Sequence, residues 1–521
     1  MPEKRVHAAA VEEDLEVVEE KLFKSGEETK TLDETWGDYF PVRINPEPLA
    51  AGENAKILRF EVKSRGDTFL IPAKHIRLHA AFILDRDGAG ARFDDPHANG
   101  RANGADHYGR FVNGLKYKAI KKIRVKPGGL QDIEQVGDHL NCKEWLNFLA
   151  FYNKYEKKNK AKRRNDFFEP DLVGSHWENA VGVTLTDAQI RAVTNDKKGL
   201  DAMRRLEKRC FDEDPIHMDF SPLPGEFCQI NSATTSFFNG TIEIEFASNQ
   251  QMIIARQGDD TGLGTVEQGH YRLDRANCYL EILYMQKADP NENADIQDAM
   301  INHGAQTFTG TDKFHLMVSP PFRPVVGDNL IQRWHTLDYR IPNRGFIGII
   351  SRASLIDGAF GTDMFQFQPF NCDYVQVFVD EKNIVRGDRI EWRGDNTQRR
   401  ELFYQSQCDA VARYHNDIRD NIFNLDPEAL PRSMWLWYYE TTANFEAGLA
   451  NALQKIEKTF RANLHFTQAS NDEHYLCIFY VAKDQLTMMD ATHNGWGTVQ
   501  EMQLPLTQPN YITLTRHGQQ L

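Results

Sequence analysis

The chain has 521 residues, 41% hydrophobic, 11% aromatic and 26% charged, with a formal net charge of −14. This length exceeds what one core usually fills, about 250 to 300 residues, so two large domains are expected, and the apolar share excludes a wholly disordered chain. The acidic balance argues against a protein whose main surface coats nucleic acid, because phosphate binding runs on Lys and Arg; no sequence-specific nucleic-acid binding is expected, and no run of about 18 uncharged apolar residues offers a membrane span.

Met1 to Ala10 lead into an acidic segment without an apolar run, so no signal peptide is expected. Residues 1–35 read as an acidic arm, in which Val11, Leu15, Val18 and Leu22 share one helical face and need a partner. Its other face carries Glu12, Glu13, Glu16, Glu19 and Glu20, which anionic lipid would repel.

Residues 36–284 read as a first all-β domain of short strands between turn signals. Its expected strands are Lys56–Val62, His75–Leu84, Ala119–Val125, Thr241–Phe246 and Tyr279–Tyr284, with hairpin turns at Asn113-Gly114 and Asn239-Gly240. Asn239-Gly240-Thr241 spells a glycosylation sequon, expected to stay unmodified without a secretory route. Helical insertions are expected at Cys142–Lys158, where Trp145, Leu146, Leu149 and Tyr152 make an apolar face, and at Thr186–Lys208. Residues 285–310 break the strand rhythm and form the linker candidate. A second domain should run over 311–506, with a Trp-rich strand at Met434–Glu440, a helix around Phe445–Phe460 and closing strands to Asp490, followed by a tail at 507–521.

Several constellations invite chemistry and have plainer readings. Asp94, Asp95, His97, Asp106 and His107 crowd a Gly- and Asn-rich stretch with oxygen and imidazole donors, but in no metal motif, so a surface loop is expected. His75 and His79 share a strand face yet stand too far apart to hold one metal without outside help, so packing is expected. Gly258, Gly262, Gly264 and Gly269 lack the lysine and hydroxyl residue of a phosphate loop and read as a flexible loop. Seven cysteines, odd in number and without Cys-x-x-Cys spacing, read as free, mostly buried thiols of a reducing compartment, with no zinc site. In Lys154–Arg164 seven of eleven residues are basic, either a solvated helix end or a contact to genome or to an acidic neighbour. Trp435, Trp437 and Tyr439 alternate onto one strand face, as core filling or as a sugar platform. No catalytic, cofactor or metal residues emerge, and no cofactor is expected.

The most informative stretch is 339–384. Val375, Val377 and Val379 alternate with Tyr374, Gln376 and Phe378, the period of a strand with two unlike faces. Upstream, Phe346, Ile347, Ile349 and Ile350 make a continuous apolar strand, and Gly358 and Gly361 bracket a tight connection. The order Pro342, Arg344, Phe346, then Asp357, Gly358, Ala359, Phe360, then Asp363, Phe365, Phe367, Phe370, Asn371 resembles a block of the double jelly-roll major capsid proteins of Polinton (Maverick) elements and adenovirus-like viruses. Met364 stands where that pattern has proline, and Pro369 is displaced toward Phe370, which bears on loop detail. Weaker echoes lie at Phe69–Leu84, Phe237–Ser248 and Ala462–Asp490.

That resemblance implies an all-β fold of two tandem jelly rolls with helical insertions and long loops. It implies a structural role: a homotrimeric, pseudo-hexameric capsomer in an icosahedral shell, with neighbouring capsomers and penton or minor capsid proteins as partners and the virion as location. The arm at Val11, Leu15, Val18 and Leu22 would then bridge subunits. A scaffolding protein of the same double fold, and a jelly-roll carbohydrate-binding module or glycan-processing enzyme, are the alternatives.

Overall fold

The computed structural model describes residues 36–50, 52, 54–63, 76–96, 106–127, 133–135, 139–151, 164–169, 197–221, 223, 240–258, 264–287, 305–336, 344–361, 363–379, 382–383, 390–391, 435–440, 458–489, 496–503 and 510–516. The arm with Val11, Leu15, Val18 and Leu22, the sequon Asn239, His75, His97, Pro342, residues 152–163 of the basic run and residues 441–457 lie outside the described residues.

The first half supplies strands β1 (Trp36–Ile44), β2 (Ile57–Val62), β3 (Arg77–Asp85), β4 (Asp106–Phe111), β5 (Ile120–Pro127), β6 (Ile133–Gln135), β7 (Ile216–Phe220), β8 (Gly240–Phe246), β9 (Ile253–Gly258), β10 (Gly264–Val266), β11 (His270–Leu273) and β12 (Tyr279–Lys287). Leu78 of β3 pairs with Leu280 of β12 on one edge and with Phe220 of β7 on the other. β1 adds to the far side of β12, giving the antiparallel order β1-β12-β3-β7, with β11 continuing along β3 beyond β12. The facing sheet runs β2-β8-β5-β6. If the eight principal strands are lettered B to I in chain order, the two sheets read B-I-D-G and C-H-E-F, which is the strand order of a jelly roll. β4, β9 and β10 form a small additional sheet.

The second half repeats the order with unrelated sequence. Its strands are β13 (Ala305–Val318), β14 (Gly327–Thr336), β15 (Arg344–Ser351), β16 (Cys372–Val379), β17 (Lys382–Asn383), β18 (Ile390–Glu391), β19 (Leu436–Glu440), β20 (Lys458–Phe466) and β21 (His474–Met489), followed by a hairpin of β22 (Trp496–Gln503) and β23 (Asn510–Arg516). One sheet runs β13-β21-β15-β19. The other runs β14-β20-β16, with β17 and β18 as two pieces of its last strand. These are again B-I-D-G and C-H-E-F, so the chain is a double jelly roll.

Side-chain alternation explains which faces are dry. The burial of β7 alternates strictly, with Ile216, Met218 and Phe220 inside and His217 and Asp219 outside. In β16, Val375 and Val377 are fully buried while Tyr374, Gln376 and Phe378 are half-exposed. β15 and β21 differ: Phe346, Ile347, Ile349 and Ile350, and Tyr475 through Phe479, are buried without a break. A strand that is apolar at consecutive positions is covered on both faces. Cys142, Trp145, Leu146 and Phe148 of the first half join the same buried cluster.

The α-helices among the described residues are α1 (Leu115–Lys118), α2 (Leu140–Phe151), α3 (Lys197–Asp212) and α4 (Asn249–Met252). α3 lays Ala202, Met203, Leu206 and Cys210 onto the first core, whereas Cys142, Trp145, Leu146 and Phe148 of α2 belong to the second core.

Expectations for four local elements are corrected. Asn113-Gly114 makes no hairpin: Gly114, at φ 74°, caps α1, and glycine is required there because the backbone is left-handed and Trp145 fills the space a Cβ would need. The helix expected at Thr186–Lys208 runs from Lys197 to Asp212, and residues 186–196 lie outside the described residues. The end of the helix expected near Phe460 is strand from Lys458, because its residues pair with β14. The glycine-rich segment 258–269 is not wholly a loop, since Gly264–Val266 pair with β9. The hairpin of β22 and β23 spans the boundary expected at residue 506, and β12 and β13 take up both ends of the expected linker.

Candidate functional site at the seam between the rolls

The connection between β15 and β16, residues 352–371, packs against loops and helices of the first roll. Gly358 has φ 75°, and a Cβ there would stand 2.6 Å from the backbone carbon and oxygen of Gln250. Only glycine gives both the left-handed turn and the close backbone approach. Gln251 of α4 donates from Nε2 to the Ile356 carbonyl at 2.6 Å, while its Oε1 accepts the Ser248 N–H at 3.1 Å. Two residues on, the Phe360 carbonyl accepts the Ala255 N–H of β9 at 2.9 Å, and the Phe360 ring packs on the first core. Gly361 faces Val266, whose Cγ2 lies 2.5 Å from where a Cβ would be.

Asp363 then enters the interior of the seam. Its Oδ1 is 2.5 Å from Nζ of Lys118, a lysine 1% exposed at the end of α1. The carboxylate also accepts the N–H of Asn113 at 3.2 Å and of Met364 at 2.8 Å. Lys118 Nζ sits 3.9 Å from the ring centroid of Trp145, a cation–π contact in a dry site. Three N–H donors and a cation-facing ring surround this buried pair, as the burial of polar groups requires.

The same corner is fixed from the first roll. Asn113 exchanges two hydrogen bonds with Glu169, from Nδ2 to the carbonyl at 2.9 Å and from the Glu169 N–H to Oδ1 at 2.8 Å. Tyr117 stacks on Phe148 at 4.1 Å and donates its hydroxyl to Asp166 at 2.7 Å. Burial pushes the Cys142 thiol well above its usual range, with the neighbouring Cys477 adding to the rise and Lys118 opposing it. Cys142 of α2 and Cys477 of β21 therefore meet as inert protonated thiols, and the five described cysteines with resolved surroundings are free and buried.

The rest of the 339–384 block completes the second core. Phe365 and Phe367 are buried, at 1% and 0% exposure, and Phe365 holds φ 63°. Phe367 bridges Ile350 of β15 and its carbonyl accepts the Trp435 N–H at 2.9 Å, so this segment extends the sheet edge in line with β19. Phe370 meets the His474 ring edge-on at 4.4 Å, and the Asn371 carbonyl accepts the Thr467 N–H at 2.9 Å. Asp357 stays at the surface, paired with Arg352 at 3.2 Å. Phe346 is in the second core. Arg344 opens β15, in backbone register with Glu440 of β19.

The other sequence candidates disperse. Asp95 pairs with Lys208 at 3.0 Å and His107 with Glu267 at 2.7 Å, and no set of three potential metal ligands is gathered among the described residues. Trp435 is 1% exposed in the second core, so it offers no face to a sugar. Arg164, the described end of the basic run, pairs with Glu213 at 2.7 Å. The sequence reading missed Lys118, Asn113 and Gln251, the first roll's half of the seam. The Asn-Gly dipeptide was the visible sign of a special backbone there.

No protein-family model and no curated protein matches this chain. Among solved structures it is similar to a chain of the Sputnik virophage determined by cryo-electron microscopy, at 8% identity and a TM-score of 0.45, covering 90% of this chain and 92% of that one. It is similar to the mavirus major capsid protein at 10% identity and a TM-score of 0.40, over 90% and 91% of the two chains. A chain of the PBCV-1 virus capsid aligns at 8% identity and a TM-score of 0.36, over 88% and 97%. The fold assignment rests on the chain's own strand order.

Proposed function

We propose that this protein is a major capsid protein, structural rather than catalytic, that assembles as a homotrimer presenting six similar sandwiches in a pseudo-hexagonal capsomer. One observation carries the reading: two jelly rolls of identical strand order are tied into one body by the residues of the 339–384 block. Gly358, Phe360 and Asp363 each reach into the first roll. A motif spent on joining two rolls has a purpose only where their relative placement matters, as it does for a subunit that tiles. The outer face of the first roll's B-I-D-G sheet, where Arg77, His217 and Asp219 are exposed, is then available for neighbouring subunits. Neighbouring capsomers and penton or minor capsid proteins are the further partners, the virion is the location, and the acidic arm bridges subunits.

The test is the native mass of the purified chain by light scattering, with electron microscopy of the same peak. Three chains of 59.9 kDa, about 180 kDa, with a hexagonal outline or closed shells, support the reading. A monomer that persists at high concentration overturns it.

A further inference from the structure

On the outer face of the first roll's B-I-D-G sheet, His79 of β3 and His217 of β7 face each other with Nε2 and Nδ1 3.1 Å apart. Their strands are paired, with His79 opposite Asp219 and Ala81 opposite His217, so both imidazoles and the Asp219 carboxylate project from one face. On the other side, Tyr279 of β12 stacks on His79 at 4.9 Å and 18°, and the Arg43 guanidinium lies over the Tyr279 ring at 4.5 Å. Arg43 is in turn balanced by Glu281 at 3.7 Å. His79 is thus held by a layered stack on a strand bonded along both edges, while His217 stands at the solvent side.

We propose that His79 and His217 form a two-imidazole site for a borderline transition-metal ion such as Zn²⁺, with water completing the shell. A tetrahedral ion bound about 2.0–2.1 Å from each nitrogen sets those nitrogens about 3.3 Å apart, so a small opening of the present pair admits it. In the free protein one ring donates its N–H to the other's lone pair. On binding, the donor ring takes its other tautomer, both lone pairs turn to the metal, and water leaves the ion, so no proton is lost overall. Asp219 supplies a negative neighbour, and imidazole pairs select this class of ion over Mg²⁺ or Ca²⁺.

The test is calorimetric titration of the purified full chain with ZnCl₂ alone, comparing wild type with His79→Gln and His217→Gln, alongside melting of all three in chelator. The expected result is a stoichiometry one ion per chain lower in each variant, with melting in chelator unchanged. If His79→Gln lowers the melting temperature, the exposed His217→Gln still decides. A wild type that binds no Zn²⁺, or a His217→Gln protein that binds as many ions as wild type, overturns the site.

Discussion

Gly358 meets two separate demands, a left-handed φ and contact with the Gln250 backbone, and a second glycine separates them. Gly327 has φ 97° with nothing within 4 Å of a Cβ. Alanine at either position carries left-handed strain of roughly 1–3 kcal/mol, but only at Gly358 must the first roll also give way. Gly358→Ala should therefore cost clearly more in chemical denaturation than Gly327→Ala, and equal costs would mean that the seam yields freely there. Lys118 and Asp363 make a stricter case. Removing one buried partner strands the other, at about 3–5 kcal/mol. Lys118→Met combined with Asp363→Leu should cost less than the sum of the two single changes, read from urea midpoints of all four proteins. Additivity within about 0.5 kcal/mol would show that the two charges are not energetically coupled.

Strand β21 carries a titratable group into the second core at its first residue. His474 is 2% exposed, its Nδ1–H donates to the Asp472 carbonyl at 2.8 Å, and burial holds its pKa below the usual 6.5. The unfolded chain then takes up a proton at a higher pH than the folded one, so this contribution is intact above pH 6.5 and is lost as pH falls below it. Melting temperature should decline with acidification in wild type and less steeply in His474→Gln, and identical slopes would refute the assignment. The element scale also shows what the sequence could reveal. The alternation of β16 and the unbroken apolar run of β15 were legible as strands, because side-chain period reports how many faces are wet. The cover that residues of the first half supply to the second core was not legible, since Trp145 and Leu146 read only as part of the apolar face of a helical insertion within the first domain. Lys118 finds Asp363 at a separation of 245 residues, and no local pattern announces such a pairing.

Seen as a whole molecule, the protein has two cores that do not divide at the linker between β12 and β13. The second core includes Tyr117, Cys142, Trp145, Leu146, Phe148 and Phe168 from the first half of the chain. Covalently linked domains with small polar interfaces unfold separately, whereas a shared dry core couples them. Differential scanning calorimetry of the wild-type chain should therefore show one transition whose van't Hoff and calorimetric enthalpies agree. Trp145→Ala empties part of the second core and removes the ring beneath Lys118, a change worth about 3–5 kcal/mol for a buried aromatic. It should lower the melting of the second roll first and split the trace into two peaks. Two peaks in the wild type, or a Trp145→Ala trace that shifts without splitting, would mean that the coupling lies elsewhere than α2. A single cooperative body is also what a tiling subunit requires, because independent swivelling of the two rolls would destroy the fixed angle at which neighbouring copies meet.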